Sequence, residues 1–112
     1  MGNRIRPVAL AAVAAVAVAA PAAPAMATTI SVTTPKASPF SFKGMPKTLK
    51  AGTYTFKYTN QSGIGHNLMV GSTATPVFSS GTKTIKVTLK KGTVKYECEP
   101  HSSMMFGTIK VT

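Results

Sequence analysis

The sequence contains few of the residues on which several common protein classes depend. Its 112 residues include one Cys, Cys98, no Trp, and only two acids, Glu97 and Glu99. A single Cys cannot form an internal disulfide, and it excludes Cys-rich zinc sites and iron–sulfur clusters held by one chain. Two acids argue against glycosidase-type carboxylate pairs and against magnesium or calcium sites built from carboxylates. The length supports a single domain.

Residues 1–27 have the features of a secretory signal peptide. Arg4 and Arg6 precede an apolar run of 13 residues, Val8 to Ala20, and the segment ends on the small-x-small motif Ala25-Met26-Ala27. The run is shorter than the roughly 20 residues that a membrane-spanning helix needs, and two Pro residues follow it. The sequence therefore predicts a cleaved signal peptide and an exported protein, which is periplasmic, extracellular or located at the cell envelope.

The predicted mature chain, residues 28–112, is small and basic. Removal of the two Arg residues lowers the formal net charge from +11 to +9, and the positive charge then rests on 11 Lys and no Arg. A secreted domain of 85 residues usually relies on disulfides. Because this one has a single Cys, another stabiliser is expected, and a bound metal ion is the obvious candidate.

Apolar residues of the mature chain recur at every second position, which is typical of β-strands with one buried face. No segment after residue 28 has helical spacing of apolar residues. Short strands are predicted near 29–34 and 46–50, and residues 72–82 are predicted to form a loop. The alternating apolar sets are Tyr54, Phe56 and Tyr58; His66, Leu68 and Val70; Ile85, Val87 and Leu89; Val94, Tyr96 and Cys98; and Ile109 and Val111.

Turn signals that contain Gly separate these segments, at 50–52, 61–63, 79–81 and 90–92. Strands of this length and spacing predict an all-β fold, an antiparallel β-sandwich of about seven strands. Cys98 and His66 share the phase of their apolar neighbours, so both side chains are expected to point inward. Both lie at strand ends, and the sequence therefore predicts that they converge at one end of the sandwich.

A metal site is indicated by sulfur and imidazole side chains close together in the sequence. Cys98, His101 and a Met at 104 or 105 fall within eight residues, and His66 supplies a second imidazole. Two His and one Cys in a plane, with a weakly bound axial Met, form the ligand set of type-1 copper. Sulfur suits Cu(I) and imidazole also suits Cu(II), so this set favours rapid electron transfer. Zinc binds Cys and His as well, but Met is a poor zinc ligand.

Each of these residues has a simpler explanation when it is taken alone. A single Cys is most often a buried apolar residue, a single inward His a hydrogen-bonded core residue, and two Met residues core filling. An unpaired thiol is a liability in an oxidising compartment, however, and metal ligation would occupy it. A catalytic Cys–His pair is the enzyme alternative, but no Asn or Asp is evident to orient His101. We therefore expect that the protein is not an enzyme.

Together, these motifs resemble those of the cupredoxins, the plastocyanin- and azurin-like small blue copper proteins. The Cys-x-Pro-His segment at 98–101 is similar to the ligand loop of plastocyanin and amicyanin, and His-x-x-x-Met-x-Gly-Thr at 101–108 is similar to that of azurin. Gly65-His66-Asn67 resembles the azurin segment around the upstream His ligand. Residues 49–56, with Asn60, resemble the preceding strand pair of many bacterial members. The resemblance covers residues 29–112.

The resemblance implies a Greek-key β-sandwich that binds one copper ion. It implies that His66, Cys98 and His101 are the equatorial ligands. It also implies that the axial ligand is Met105, which stands two residues before a Gly as in the family. The alternative axial ligand, Met104, would match the shorter amicyanin spacing from the His.

Two residues beside the ligands have implied roles, and two features depart from the family. The resemblance implies that Asn67 ties the two ligand loops together by hydrogen bonds, and that the carbonyl of Gly65 approaches the metal opposite the axial Met. Only 31 residues separate His66 from Cys98, so the strands usually found there are expected to be trimmed. Glu99 is unusual in the ligand loop, and its charge near the copper would lower the reduction potential.

These features predict a type-1 copper protein that carries single electrons between redox proteins. His101 is expected to be the electron port, partly exposed within an apolar rim that includes Pro100, Met104 and Phe106, where partners dock weakly over a small area. The alternative is a copper-handling protein that sequesters or delivers the metal through the same ligands.

The Lys residues are expected mainly on outward strand positions, where they form a solvated surface. They would also steer the protein, expected to be a monomer, towards acidic redox partners or towards an anionic membrane surface. Residues 28–112 contain no Arg, and the Lys residues are interleaved mainly with Thr rather than with aromatic residues, which argues against nucleic acid as a partner.

Overall fold

The computed structural model describes residues 27–112 and folds them into two β-sheets. Apart from Ala27, the predicted signal peptide lies outside the described residues. Between residues 27 and 112 there is no helix of the length and apolar character needed to cross a membrane. Within residues 27–112, one 3₁₀ turn, Glu99–His101, interrupts the strands. The strands are β1 (Thr28–Thr34), β2 (Thr48–Leu49), β3 (Gly52–Asn60), β4 (Met69–Val70), β5 (Thr73–Ala74), β6 (Gly81–Leu89), β7 (Gly92–Glu97) and β8 (Phe106–Val111).

The core consists of the alternating apolar residues, as the sequence predicts, and the all-β fold class is confirmed. In β3, Phe56 and Tyr58 are fully buried while Lys57 between them is exposed. Burial of an apolar side chain of this size stabilises the fold by about 2–3 kcal/mol, so each strand is held mainly through its inward face. The core cluster contains Val32, Phe56, Tyr58, Leu68, Val70, Ile85, Val87, Leu89, Ile109 and Val111.

The two sheets are mixed rather than purely antiparallel. One sheet has the order β1-β3-β6 and the other the order β2-β8-β7-β4-β5. The β1–β3 and β2–β8 pairs are parallel, and the other pairs are antiparallel. The two parallel pairs differ from the antiparallel arrangement predicted from the sequence. A parallel neighbour cannot be reached through a tight hairpin, and both pairs join segments that are distant in the sequence.

Residues 72–82, predicted to form a loop, contain short paired segments. The two-residue strand β5 pairs with β4, which is equally short. Just beyond β5, Phe78 forms an isolated antiparallel bridge with His66 through backbone hydrogen bonds of 3.1 and 3.0 Å. These very short strands let the chain cover the distance between His66 and Cys98 with only 31 intervening residues.

The strand register defines two opposite ends of the sandwich. At one end lie the β2–β3 and β6–β7 turns, since Gly52 pairs with Leu89 and Gly92 pairs with Val111. We name this the lysine end. At the opposite end, the Cys98 end, Cys98 directly follows the last residue of β7. The lysine end carries Lys47, Lys50, Lys90, Lys91 and Lys110.

Tyr58 makes the stability of the fold sensitive to alkaline pH. Its hydroxyl is buried 2.6 Å from Oγ1 of Thr34. Burial raises the pKa of Tyr58 to about 12, and the hydrogen bond with Thr34 opposes this shift only in part. An unfolded Tyr ionises near pH 10, so between about pH 10 and 12 the unfolded state loses a proton that the folded state keeps. This contribution to stability is complete below about pH 10 and is lost as the pH rises towards 12.

We expect the free energy of unfolding to fall by up to about 3 kcal/mol over that interval because of Tyr58 alone. Urea unfolding at stepped pH values would measure the loss. The Tyr58→Phe variant lacks the titrating hydroxyl, so its free energy of unfolding should fall less over the same interval. An equal loss in both proteins would contradict the assignment and would attribute the alkaline transition to the Lys residues.

Candidate metal centre

One loop carries three of the four predicted ligands. Cys98 follows β7, the 3₁₀ turn Glu99–His101 reverses the chain, and Met105 precedes β8. Pro100 suits this turn because its fixed φ is compatible with a helical turn and a first-turn N–H would lack a partner. The Cys98 N–H donates to the Met105 carbonyl at 2.9 Å, and the Met105 N–H donates to the His101 carbonyl at 2.9 Å. These bonds hold the ends of the loop close together.

His66 reaches the same end of the sandwich on a second loop, which the buried side chain of Asn60 holds in place. Nδ2 of Asn60 donates to the carbonyl oxygens of Ile64 and Phe78, at 2.8 and 2.7 Å. Its Oδ1 accepts from the N–H and the hydroxyl of Ser62, at 2.9 and 2.7 Å. Phe78 is also the bridge partner of His66, so Asn60 fixes both chain segments that position the imidazole.

The structure brings His66, Cys98 and His101 together. Nδ1 of His66 lies 3.1 Å from Nδ1 of His101, and the Cys98 Sγ lies 3.5 Å from each of these nitrogens. His66 and Cys98 are fully buried, whereas His101 is partly exposed. The inward orientation predicted for His66 and Cys98 is therefore confirmed, and so is their convergence at one end of the sandwich.

The size and chemistry of this triangle fit a metal ion. A point equidistant from the three atoms lies about 2 Å from each, close to metal–imidazole lengths of about 2.0–2.1 Å and metal–thiolate lengths of about 2.3 Å. One proton can bridge only one pair of these atoms, whereas a cation would satisfy all three lone pairs at once. Nε2 of His66 is buried without a hydrogen-bond partner among the described residues. The proton of a neutral His66 therefore resides on Nε2 when Nδ1 faces a metal.

Burial shifts the pKa values of His66 and Cys98. Burial lowers the pKa of His66, and the adjacent imidazole of His101 lowers it further. The Pro39 carbonyl lies near the ring and opposes this shift, without the geometry of a hydrogen bond. Burial also raises the pKa of the Cys98 thiol, although backbone hydrogen bonds from Asn67 and His101 oppose that shift. His66 is thus kept neutral and ready to bind a metal, while a cation is needed to hold Cys98 as a thiolate.

The two adjacent Met residues have opposite environments. Met105 is 2% exposed, whereas Met104 is 56% exposed. Met105 is buried at the Cys98 end and is not a member of the apolar core cluster. Its backbone is bonded to that of Cys98 and His101, which fixes its position beside the triangle. The surroundings therefore favour Met105 as the thioether that a metal at this site would meet.

Asn67 and Glu99 form a reciprocal contact between the two ligand loops. The Glu99 N–H donates to Oδ1 of Asn67 at 2.7 Å, and Nδ2 of Asn67 donates to the Glu99 carboxylate at 2.7 Å. Nδ2 also donates to the Thr75 carbonyl at 3.2 Å. The hydrogen-bonded tie that the family resemblance implies for Asn67 is present here. The participation of the Glu99 side chain was not predicted from the sequence.

Phe40 contacts both imidazoles, and sequence reasoning missed it. Its ring lies edge-on to His66 and His101, with centroids 5.7 and 5.2 Å apart. The loop that carries Phe40 ends close to β1 at Gly44, which has a φ of 93°. A Cβ added at Gly44 would lie 2.5 Å from the Ser31 carbonyl oxygen, so only Gly allows this close approach. The available signal was the Phe-Ser-Phe spacing at 40–42 within an otherwise polar segment.

An apolar surface surrounds the partly exposed His101. Met104 and Phe106 are more than half exposed, and Pro100 is exposed as well, as expected for the predicted rim. The structure adds three exposed apolar residues at the same end, Phe40, Ile64 and Val77. We name this set the apolar rim.

Comparisons with known proteins indicate copper. The family described as "Copper binding proteins, plastocyanin/azurin family" matches residues 28–112. No curated protein sequence matches the chain significantly.

Solved structures of copper proteins share the fold. One is auracyanin A, described as a "blue" copper protein from the green thermophilic photosynthetic bacterium Chloroflexus aurantiacus, at 18% identity and a TM-score of 0.61, with 78% of this chain and 100% of that chain covered. Plastocyanin from Dryopteris crassirhizoma has 24% identity and a TM-score of 0.54, with 73% and 99% covered. A variant of amicyanin in its Cu(I) form has 23% identity and a TM-score of 0.54, with 79% and 86% covered. At such identities the likeness concerns the fold.

Proposed function

Since this chain belongs to the plastocyanin/azurin family of copper-binding proteins, we propose that it carries single electrons between redox proteins through one type-1 copper ion. The observation that carries the proposal is the triangle of His66, Cys98 and His101, whose dimensions and donor atoms fit this metal. Bound copper would supply the one-electron Cu(II)/Cu(I) couple.

The protein residues would hold the donor atoms in one arrangement for both oxidation states. His66, Cys98 and His101 would be the equatorial ligands, and Met105 the axial one. The Asn67–Glu99 contact and the bonds across the 98–105 loop restrain these groups, so little needs to move when the charge changes. Gly65, which directly precedes His66, would bring its backbone carbonyl near the bound ion.

His101 would be the electron port. It is the partly exposed member of the triangle, and the apolar rim surrounds it. Such a surface allows docking over a small area and rapid separation, as an electron carrier requires. Acidic patches on the partners would meet Lys36, Lys43 and Lys83. These residues lie towards the Cys98 end, since Lys43 pairs with Thr33, Lys83 pairs with Tyr58, and Lys36 follows the end of β1. We expect a monomer, exported to the periplasm or the cell envelope after removal of residues 1–27.

Voltammetry of the copper-loaded protein tests the proposal. An electron carrier should give a reversible one-electron wave and exchange electrons with a redox protein over many cycles without losing copper. The alternative, a copper-handling protein with the same ligands, should transfer Cu(I) to a competing chelator within the time of a few cycles. Complete loss of copper to the chelator would favour delivery and overturn the carrier role.

Met105→Leu is expected to raise the reduction potential by on the order of 100 mV, because loss of an electron-donating axial sulfur destabilises Cu(II) more than Cu(I). Met104→Leu, its matched control on the exposed neighbour, should shift the potential little. Voltammetry and the visible spectrum of both variants would check the assignment. A larger shift in the Met104 variant would make that residue the axial ligand.

Glu99→Gln should raise the reduction potential by on the order of tens of mV, since a negative charge near the metal favours Cu(II). The effect is limited by screening, because Glu99 is exposed to solvent. Gln keeps a side-chain oxygen that can accept from Asn67, so the tie between the loops should survive. Voltammetry at low and high salt would separate the effect of the Glu99 charge from an effect on loop geometry. A shift in reduction potential that does not decrease as salt is added would indicate altered geometry instead of charge.

A further inference from the structure

The lysine end is a second surface with a pronounced chemical character. Its five Lys residues surround the β2–β3 and β6–β7 turns and the end of β8. The two acidic side chains of the protein, Glu97 and Glu99, lie at the opposite end, and Glu97 is paired with Lys95 at 3.5 Å. The charge of the lysine end is therefore not neutralised by any acidic side chain nearby.

A groove runs into this end. It has a volume of about 560 Å³, and three of the five Lys residues, Lys47, Lys91 and Lys110, line it. The hydroxyl-bearing residues Thr93 and Thr108 lie among them. Ammonium groups combined with hydroxyl donors form a suitable environment for a phosphate group, which accepts hydrogen bonds and carries negative charge.

The lysine end is remote from the electron port. Gly92 is the first residue of β7 and Cys98 lies six positions later, a distance of about 20 Å at the usual rise of a strand. A redox partner docked on the lysine end would be held away from His101. The large apolar residues exposed in the described part of the chain are instead at the Cys98 end. The two ends are thus suited to different kinds of surface.

We propose that the lysine end binds the phosphate headgroups of an anionic phospholipid membrane, and that the groove accommodates one such headgroup. The protein would then lie on the membrane with His101 and the apolar rim directed away from it, free to meet redox partners. No large apolar side chain is exposed at the lysine end among the described residues, so binding is electrostatic, reversible and weakened by salt.

Vesicle flotation tests the membrane contact. Residues 28–112 are used, since both sheets and the described core lie within them and the apolar segment before Thr28 would itself bind lipid. The protein should float with vesicles that contain phosphatidylglycerol, remain unbound with pure phosphatidylcholine, and be released by added NaCl. Metal-free protein should bind equally well, so failure here is distinguishable from failure of the proposed electron-carrier function.

Two triple variants of equal net charge test whether vesicle binding depends on the lysine end or only on the overall positive charge of the protein. Lys47→Gln, Lys91→Gln and Lys110→Gln together should weaken vesicle binding on the order of 100-fold, since each Lys near an anionic surface contributes about fivefold. The matched control combines Lys36→Gln, Lys43→Gln and Lys83→Gln, near the other end, and should lose far less. Equal losses in the two variants would overturn the proposal.

Orientation is measured with nitroxide-labelled headgroups and NMR of the metal-free protein. Amide signals of Gly52 and Gly92 should broaden, whereas those of Gly63 and Phe106 should not. Broadening at the Cys98 end instead would overturn the proposed orientation. Tighter binding to an acidic polypeptide than to the vesicles, lost in the first triple variant, would assign the lysine end to a protein partner and would also overturn the membrane proposal.

Discussion

Cys98→Ser is expected to abolish the intense visible band that Cu(II) should produce in the unaltered protein. The Cys98 sulfur is buried 3.5 Å from the Nδ1 atoms of both His66 and His101, so the substitution removes the thiolate corner of the triangle. Loss of an outer-shell partner already costs about 10–100-fold in metal affinity. Loss of the thiolate itself should exceed the upper value. Absorption spectroscopy during Cu(II) titration, with competition by a chelator, measures both effects.

Met104→Leu provides the control for this experiment. It removes a sulfur atom from the same loop at an exposed position, so the variant should keep both the colour and the affinity. Ser is close to Cys in size, which keeps the buried position filled. A visible band of unchanged intensity in the Cys98→Ser variant would contradict the assignment of Cys98 as a ligand.

Asn60→Ala should lower the free energy of unfolding by about 3 kcal/mol or more. The Asn60 side chain is 1% exposed and makes four hydrogen bonds, to Ile64, Phe78 and Ser62. Removal of the amide takes one hydrogen bond from each of the Ile64 and Phe78 carbonyls and two from Ser62, at about 1 kcal/mol for each bond lost. The Phe78 carbonyl still accepts from the His66 N–H and the Ile64 carbonyl from the Ser62 hydroxyl, so the loss comes from the four bonds themselves. Denaturant unfolding of the metal-free protein would measure this loss.

The same substitution should weaken copper binding, because Asn60 fixes the backbone on both sides of His66. Ser62→Ala is the matched control: it removes a smaller share of the network and should cost about 1 kcal/mol. If Asn60→Ala unfolded at the same denaturant concentration as the unaltered protein, the network would not be a stabilising element. Stability restored by copper to the unaltered value would likewise argue against a positioning role for Asn60.

Period-two alternation predicted the long strands because burial on one face imposes it directly. Phe56 and Tyr58 in β3, and Ile85 in β6, are inward and buried where the pattern places them. The direction of strand pairing could not be predicted in this way, because the alternation of apolar residues is the same whether a strand has a parallel or an antiparallel neighbour. The parallel partners of β1 and β2 therefore depend on long-range topology that no local pattern records.

Some features of the candidate site could likewise be predicted from the sequence, and others could not. The convergence of Cys98 and His66 was predicted because both share the inward phase of their strands. The contact of Phe40 with the two imidazoles was not, because its loop has no periodicity and its position depends on a fold-wide arrangement. The choice between Met104 and Met105 needed the family spacing, since adjacent identical residues are distinguished only by the backbone that exposes one and buries the other. The role of these Met residues as ligands remains a prediction.

The parallel pair of β2 with β8 has a consequence for the order of folding. It joins Thr48 to Lys110, so this pair can form only after the 61 residues between them have been synthesised. Closure of such distant segments is slow compared with hairpin formation. The loop from Cys98 to Met105 is fixed between β7 and β8, and its geometry is complete only when β8 has joined the sheet. A metal centre at this position therefore assembles late, after β8 has been synthesised and has joined the sheet, and copper would be acquired by the folded domain rather than by a partly synthesised one.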